Sequence, residues 1–356
     1  MVTGDRMSGK IWIIYDCPRA KCSKEWIRDE LEKRGYTTRP IYCKWEISHI
    51  EQRGEIGKLI ARLLTLFTCI YTTILSRQND LVICWSNIAG LYFNILPSNA
   101  KKNIISYNWL TPTPRRMTLF LYQKALRNKR LHAIVNEEGN KNRLLEQYQV
   151  EDVHNIHCIH DVYDSAQPFV EPLSEVNRQN RYCFMGGRAN RDWDMFLHIA
   201  EHCPDIRFVG IAASSDWNYN RSIPNNVEMY FDQPASQYYM LLEHAYITIY
   251  PLKDCRVAGL VNIVKSIQMG KLVLVTDIPA TRMYYTSETE ENLIQMCNLE
   301  QWVDRIYDVF SDKYTRYEED VRVLQNNLKQ VFSPQYAGEE LHSIIRKVWN
   351  VHEAKK

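Results

Sequence analysis

The sequence predicts an α/β protein of two doubly wound domains facing each other across a cleft. Three observations carry that prediction. Short apolar runs of the strand type alternate with helical patterns along almost the whole chain. The alternation lapses once, over the polar stretch from Asp164 to Asn180, which contains Pro168 and Pro172, and then starts again. The chain has 356 residues, enough for two domains that each bury a core. The domains are expected over residues 1–166 and 181–335, with a linker over 167–180 and a final helix within 336–356.

The first domain opens with the strand Ile11–Tyr15. A loop, Asp16–Ser23, carries Arg19, and Ser23 is placed to cap a helix over Lys24–Arg34 that Gly35 stops. Thr37–Tyr42 is the second strand. A long helix over Ile56–Arg77 leads to Asp80–Trp85, an apolar run of the buried parallel type. The segment Leu59–Leu75 within that helix is the most apolar of the chain. Arg62 and several threonines interrupt it, so a buried or half-buried helix is expected, with a membrane-surface helix as the lesser reading. Ile88–Leu96 is a short helix ended by Pro97. The strand Asn103–Tyr107 runs into Asn108 and Trp109, where Trp109 either stacks on a sugar face or packs. A basic helix over Arg115–Arg127, a strand over His132–Asn136, a helix over Glu138–Tyr148 and a strand over Val153–Ile159 complete the domain. His154, His157 and His160 lie three apart, a spacing that does not keep one face of a strand, so no metal site is expected there.

The second domain restarts with the strand Tyr182–Met185, followed by Gly186, Gly187, Arg188, Arg191 and a helix over Trp193–Cys203. Strands are expected over Arg207–Gly210 and Asn226–Tyr230, the latter ending at Phe231, then a helix over Ser236–His244. The most informative stretch is Tyr250–Tyr285. An apolar strand, Tyr246–Tyr250, enters a loop with Lys253, Asp254, Arg256 and Gly259. A helix over Val261–Met269 stops at Gly270, and a strand over Leu272–Thr276 ends at Asp277 and Pro279. This βαβ unit places the loop and the helix start at the carboxyl end of a parallel sheet, where ligands bind. The free N–H groups and positive dipole end of a helix start suit a phosphate. Helices over Gln301–Phe310, Tyr317–Val331 and Gly338–Val351 close the chain.

Gly259, Asn262, Lys265, Gly270, Lys271, Val273, Thr276 and Asp277 form a pattern that resembles the donor-site segment of GT-B glycosyltransferases, the retaining family 4-like group. The resemblance covers the second domain and, in architecture alone, the first. It implies Rossmann-like domains, a final helix crossing back to the first domain, and a nucleotide-sugar donor held in the second. It places the donor pyrophosphate against Gly186, Gly187, Arg188 and Arg191 after the first strand, and against Arg256, Gly259, Leu260, Val261 and Asn262 at the helix start. It places the base near Tyr230 and Phe231. Lys265 stands where that family usually has a glutamate for the ribose. The acceptor is expected against the first domain, near Arg19, Asn108 and Trp109, although a glycine pair in the first loop and a histidine near Asn108 are absent from this chain.

Charge is uneven. Residues 1–166 hold 24 Lys+Arg against 17 Asp+Glu, and residues 167–356 hold 20 against 25. A basic first half suits an anionic acceptor or an anionic lipid surface. Ten scattered cysteines without CxxC spacing read as reduced thiols of a cytoplasmic protein, peripheral to the membrane at most. The expected activity is hexosyl transfer from a nucleotide-sugar to a glycan or lipid-linked glycan in cell-surface polysaccharide synthesis, with retention, no metal and no cofactor. No catalytic base is identified. The alternatives are a non-catalytic partner subunit that binds a nucleotide-sugar and a nucleotide-sugar epimerase. A nicotinamide dehydrogenase is disfavoured, because no G-x-G-x-x-G follows the first strand, and no nucleic-acid partner is expected.

Overall fold

The computed structural model describes residues 9–51, 54–99, 101–109, 116–149, 155–172, 181–187, 190–217, 222–255, 259–311 and 313–353, with the backbone alone for 21, 116–118 and 350–353. The chain divides into two compact units, Met1–Val162 with Pro334–Lys356, and Tyr163–Ser333.

The first unit runs β1 (Ile11–Tyr15), α1 (Trp26–Lys33), β2 (Thr38–Tyr42), α2 (Ile47–Glu51), α3 (Glu55–Leu75), β3 (Leu81–Cys84), α4 (Asn87–Ile95), β4 (Asn103–Ser106), α5 (Arg116–Leu126), β5 (Leu131–Val135), α6 (Glu138–Tyr148) and β6 (Ile156–Cys158). Its six strands lie parallel in the order β2-β1-β3-β4-β5-β6. The second unit runs β7 (Tyr182–Gly186), α7 (Trp193–His202), β8 (Arg207–Ala212), β9 (Val227–Phe231), α8 (Ala235–His244), β10 (Ile247–Tyr250), α9 (Leu260–Gln268), β11 (Leu272–Thr276), α10 (Pro279–Arg282), β12 (Leu293–Ile294), α11 (Leu299–Phe310) and α12 (Tyr317–Val331). Its sheet, also parallel, has the order β12-β11-β10-β7-β8-β9. Central strands are apolar on both faces because helices cover both; Leu81–Cys84 and Leu272–Thr276 are buried throughout. The last helix, α13 (Pro334–Glu353), belongs to the first unit, where Leu341, Ile344, Ile345 and Val348 join the core of Ile27, Leu31 and Tyr36.

Several expectations change. Ser23 does not cap α1. The chain turns once more, α1 starts at Trp26, and the Glu25 carboxylate faces Arg28 at 2.9 Å and the Tyr42 hydroxyl instead. Three elements went unread, the five-residue α2, the four-residue α10 and the two-residue β12, all too short to show a period. The described part of the polar stretch is fastened to the second unit. The Gln268 side chain donates to the Asp164 and Gln167 carbonyls at 2.8 and 2.6 Å, and Gln325 donates to the Val170 carbonyl at 2.8 Å. Proline and polarity there reflect a backbone whose carbonyls are met by glutamines rather than by a sheet.

Candidate functional site

In both sheets the strand order reverses beside the first strand of the unit. Chains leaving the two strands at such a point wind to opposite faces and leave a crevice at the carboxyl end. In the second sheet the reversal lies between β7 and β10. Their loops are 187–192, entering α7, and 251–259, entering α9.

These loops are tied into one body. The Asn190 side chain donates to the Asp254 carbonyl at 3.0 Å and accepts from the Asp254 N–H at 3.3 Å. Asp192 donates its N–H to the Pro251 carbonyl at 2.9 Å. Arg191 is 2% exposed; its Nε donates to the Gly186 carbonyl at 3.1 Å and an Nη donates to the Gly259 carbonyl at 3.0 Å. Its guanidinium lies 4.5 Å from the Tyr250 ring centre, and burial lowers its affinity for the proton. Asn262 Nδ2 completes the knot by donating to the same Gly186 carbonyl at 3.1 Å.

Two glycines of these loops take positive φ, where other side chains are disfavoured. Gly187 has φ +124°, and a Cβ there would lie 2.4 Å from Asn262 Nδ2. Gly259, at φ +79°, is the residue from which α9 starts. The N–H groups of Leu260 and Val261, the first two of α9, have no carbonyl a turn earlier within the helix to meet, while that of Asn262 donates to the Gly259 carbonyl at 3.3 Å. Leu260 and Val261 therefore offer backbone. The Leu260 side chain is in the core, and that of Val261 is exposed.

Lys265, one turn further on, is half-buried. Its ammonium donates to the Tyr239 hydroxyl on α8 and lies 4.8 Å from that ring's centre. The remaining residues of the sequence pattern support the site from behind. Lys271 is buried, donates to the Glu243 carbonyl at 2.6 Å behind α8, and burial pushes it down to about 8. Thr276 Oγ1 accepts from the Leu252 N–H at 2.8 Å, and Asp277 receives both arms of Arg282 at 2.5 and 2.7 Å.

Of the donor residues read from sequence, Gly186, Gly187, Arg191, Gly259, Leu260, Val261 and Asn262 come together. Arg191, however, is a buried cross-link between loops rather than an arm turned to a ligand. Arg188 and Arg256 lie outside the described residues. Tyr230 and Phe231 end β9, two strands from β7. The Tyr230 hydroxyl donates to Glu228 at 3.2 Å, and Phe231 packs edge-on to Trp217 at 5.2 Å.

In the first unit the reversal lies between β1 and β3. Arg19 follows β1, largely exposed, 3.6 Å from Glu25. Asn108 has φ +57° and donates to the Trp85 carbonyl at 3.0 Å. Trp109 corrects the sequence reading. It is fully buried and packs edge-on to Tyr122 at 5.3 Å, so its ring is unavailable to a sugar. Sequence reasoning passed over the residues that follow the strand ends. Burial raises the pKa of the Asp16 carboxyl, directly after β1, and that of Asp161, which accepts from Asn136 Nδ2 at 3.2 Å. Trp85 stacks on Tyr107 at 5.0 Å, and the Lys24 ammonium lies 5.0 Å from its ring centre. Their signal was positional, because a polar or aromatic residue directly after each parallel strand belongs to the functional edge of the sheet. Of the three spaced histidines, His154 is outside the described residues. His157 pairs with His132 at 3.1 Å, and His160 meets the Asn136 carbonyl at 3.1 Å.

No protein-family model matches this sequence, and no curated protein matches it. Solved structures do match. Anabaena HepE, crystallised with UDP and glucose, superposes with a TM-score of 0.64 at 11% identity over 95% of this chain and 100% of its own. A glycosyltransferase from Rickettsia africae gives 0.65 at 14% identity, over 96% and 99%. A UDP-forming trehalose-phosphate synthase from Burkholderia xenovorans gives 0.63 at 9% identity, over 96% and 99%. The fold is therefore GT-B, two parallel six-stranded α/β units of the kind these glycosyltransferases share.

Proposed function

We propose that the protein is a glycosyltransferase that takes a nucleotide-sugar donor on its second unit. The observation that carries this reading is the knot of Gly186, Arg191, Gly259 and Asn262. It fixes two loops at the reversal point of a parallel sheet and presents the start of α9 between them. Such a helix start suits a pyrophosphate. Cleavage of the sugar–phosphate bond places negative charge on the leaving nucleoside diphosphate, and fixed N–H groups that need not reorganise stabilise it. Arg188 and Arg256, by their places in the sequence, supply further positive charge, and Lys265 takes the place of the usual ribose-binding glutamate. These groups stabilise the leaving phosphate without a metal, and the transfer is proposed to retain configuration at the sugar carbon. The acceptor is proposed to be a glycan or lipid-linked glycan at the carboxyl edge of the first sheet, near Arg19, Asp16 and Trp85, in polysaccharide synthesis. HepE with UDP and with UDP-glucose supports a uridine nucleotide as the first donor to try, and TarM of Staphylococcus aureus with UDP and a glycosyl-glycerol supports acceptors of the polyol or glycan class.

The test is thermal unfolding with a panel of nucleoside diphosphates and their sugars, for the wild type and Arg188→Ala. A ligand that binds the native state alone raises the midpoint by mass action, and at 100-fold its Kd contributes about 2.7 kcal/mol. One diphosphate should shift the wild type by several degrees and the variant by clearly less. No shift by any nucleotide at millimolar concentration defeats the donor site, and with it the transferase reading.

A further inference from the structure

The helix α3 shows its large apolar side chains to solvent and its small ones to the protein. Gly57, Ala61, Thr65, Cys69 and Thr72 are buried. Ile56, Ile60, Leu63, Phe67, Ile70 and Ile74 are exposed, Phe67 to 63% and the two end isoleucines to 76%. Thr65, Thr68, Thr72 and Thr73 each donate to the carbonyl four residues back, at 2.9, 2.9, 2.8 and 2.7 Å. Their hydroxyls are thus satisfied within the helix and ask nothing of water. Small residues inside, large apolar residues outside and internally closed hydroxyls form the pattern of a helix that meets hydrocarbon.

We propose that α3 lies flat on an anionic lipid bilayer, its outward stripe in the acyl boundary. The six apolar residues are spaced four, three, four, three and four apart, a single stripe running about 30 Å along the helix. Exposed Leu59 and Tyr71 widen it to roughly 120°, a breadth suited to an interface plane. A seam between two copies of this chain is narrower and edged by charge. Here the edging positions hold Leu59, Leu64, Leu66 and Tyr71.

Charge selects the same occupant. Between Lys58 and Arg130 the sequence has 11 Lys+Arg and one acid, Asp80. Arg62, Arg77, Lys124 and Arg127 among them are exposed. Anionic head groups meet that charge, whereas a second copy would bring the same excess to the contact. The helix is long and apolar enough to cross a membrane, but it packs on β1, α2 and α4. Its end is also fastened by Lys102 Nζ, which donates to Ser76 Oγ at 2.7 Å and to the Ser76 and Thr73 carbonyls at 3.0 and 3.2 Å. It therefore lies along the surface of the first unit. This surface is independent of the transfer reaction and stands whether or not a nucleotide binds the second unit.

The test is flotation of the full-length protein with vesicles of phosphatidylcholine alone and with about a third phosphatidylglycerol. The wild type should float with the anionic vesicles, at least tenfold more than with the neutral ones. Phe67→Glu with Ile70→Glu should lower that binding at least tenfold and leave the melting midpoint in place, since both side chains are exposed. Phe67→Trp should show blue-shifted emission on the vesicles, quenched by lipids brominated in the acyl chain. Unchanged flotation of the double variant, or unquenched emission, overturns the proposal. So does a protein that ignores vesicles and elutes as a dimer that the double variant separates.

Discussion

Gly187 shows how one residue type follows from two others. Asn262 reaches back to the Gly186 carbonyl, and Arg191 reaches the same atom from the other side. The backbone between them turns through φ +124°, with a Cβ at position 187 meeting Asn262 Nδ2 at 2.4 Å and Arg191 at 3.2 Å. Alanine there meets both a disfavoured backbone region and a clash that neither partner can relieve without leaving the carbonyl. Gly187→Ala is expected to destabilise the second unit by about 2–3 kcal/mol, read from urea unfolding. It is also expected to weaken nucleotide binding at least tenfold in thermal-shift titration. A variant of wild-type stability would mean that the loop moves aside and that its conformation is not fixed by Asn262.

The elements that carry the site are strand ends and one helix start, and here sequence and structure part in an instructive way. The strands of both sheets, the two-residue β12 excepted, were legible because fully buried parallel strands are continuous apolar runs, as in Leu272–Thr276. Gly259 and Gly270 were legible as punctuation, and they bracket α9. The direction of a side chain was not legible. Arg191 stands three residues from Arg188 and reads as another phosphate arm, yet the fold turns it inward, over Tyr250 and between two loops. Trp109 reads as either a stacking platform or packing, and it is packing, in the core edge-on to Tyr122 of α5. Asp16 and Asp161 were passed over since neither sits in a motif; only the sheet places them at its edge. The inward turn of Arg191 has a testable consequence. Its planar fork donates from two separate nitrogens, Nε and an Nη, to carbonyls on two loops, a fixed span that the compact point charge of a lysine does not reproduce. Arg191→Lys is expected to cost about 2–3 kcal/mol, from one charge-assisted bond lost and one buried carbonyl left unmet. The loss should appear in chemical unfolding without ligand, and a much smaller cost accompanied by lost nucleotide binding would return Arg191 to the ligand.

At the scale of the whole molecule the two units differ in charge and in how the chain builds them. Residues 1–162 with 334–356 hold 28 Lys+Arg against 19 Asp+Glu, a net +9, and the remainder holds 16 against 23, a net −7. The second unit is one continuous segment, Tyr163–Ser333, and its core closes on residues of that segment alone. The first unit needs α13 from the far end of the chain. That helix contributes Leu341, Ile344, Ile345 and Val348 to the core, and its His342 ring meets the Tyr36 hydroxyl at 2.8 Å. Four buried aliphatic side chains at about 1.5–3 kcal/mol each amount to roughly 6–12 kcal/mol, as much as the whole stability of an ordinary domain. The two units should therefore respond differently to excision. A polypeptide of residues 163–333 should unfold cooperatively by itself and keep the nucleotide shift of the full chain. A polypeptide of residues 1–162 without α13 should expose Ile27, Leu31 and Tyr36, bind a hydrophobic dye and aggregate, and adding residues 334–356 as a separate peptide should restore a cooperative melt. If the second segment loses its nucleotide shift while remaining folded, the donor site draws on residues of the first unit. That outcome would move the search for donor contacts to the strand ends at Asp16 and Trp85.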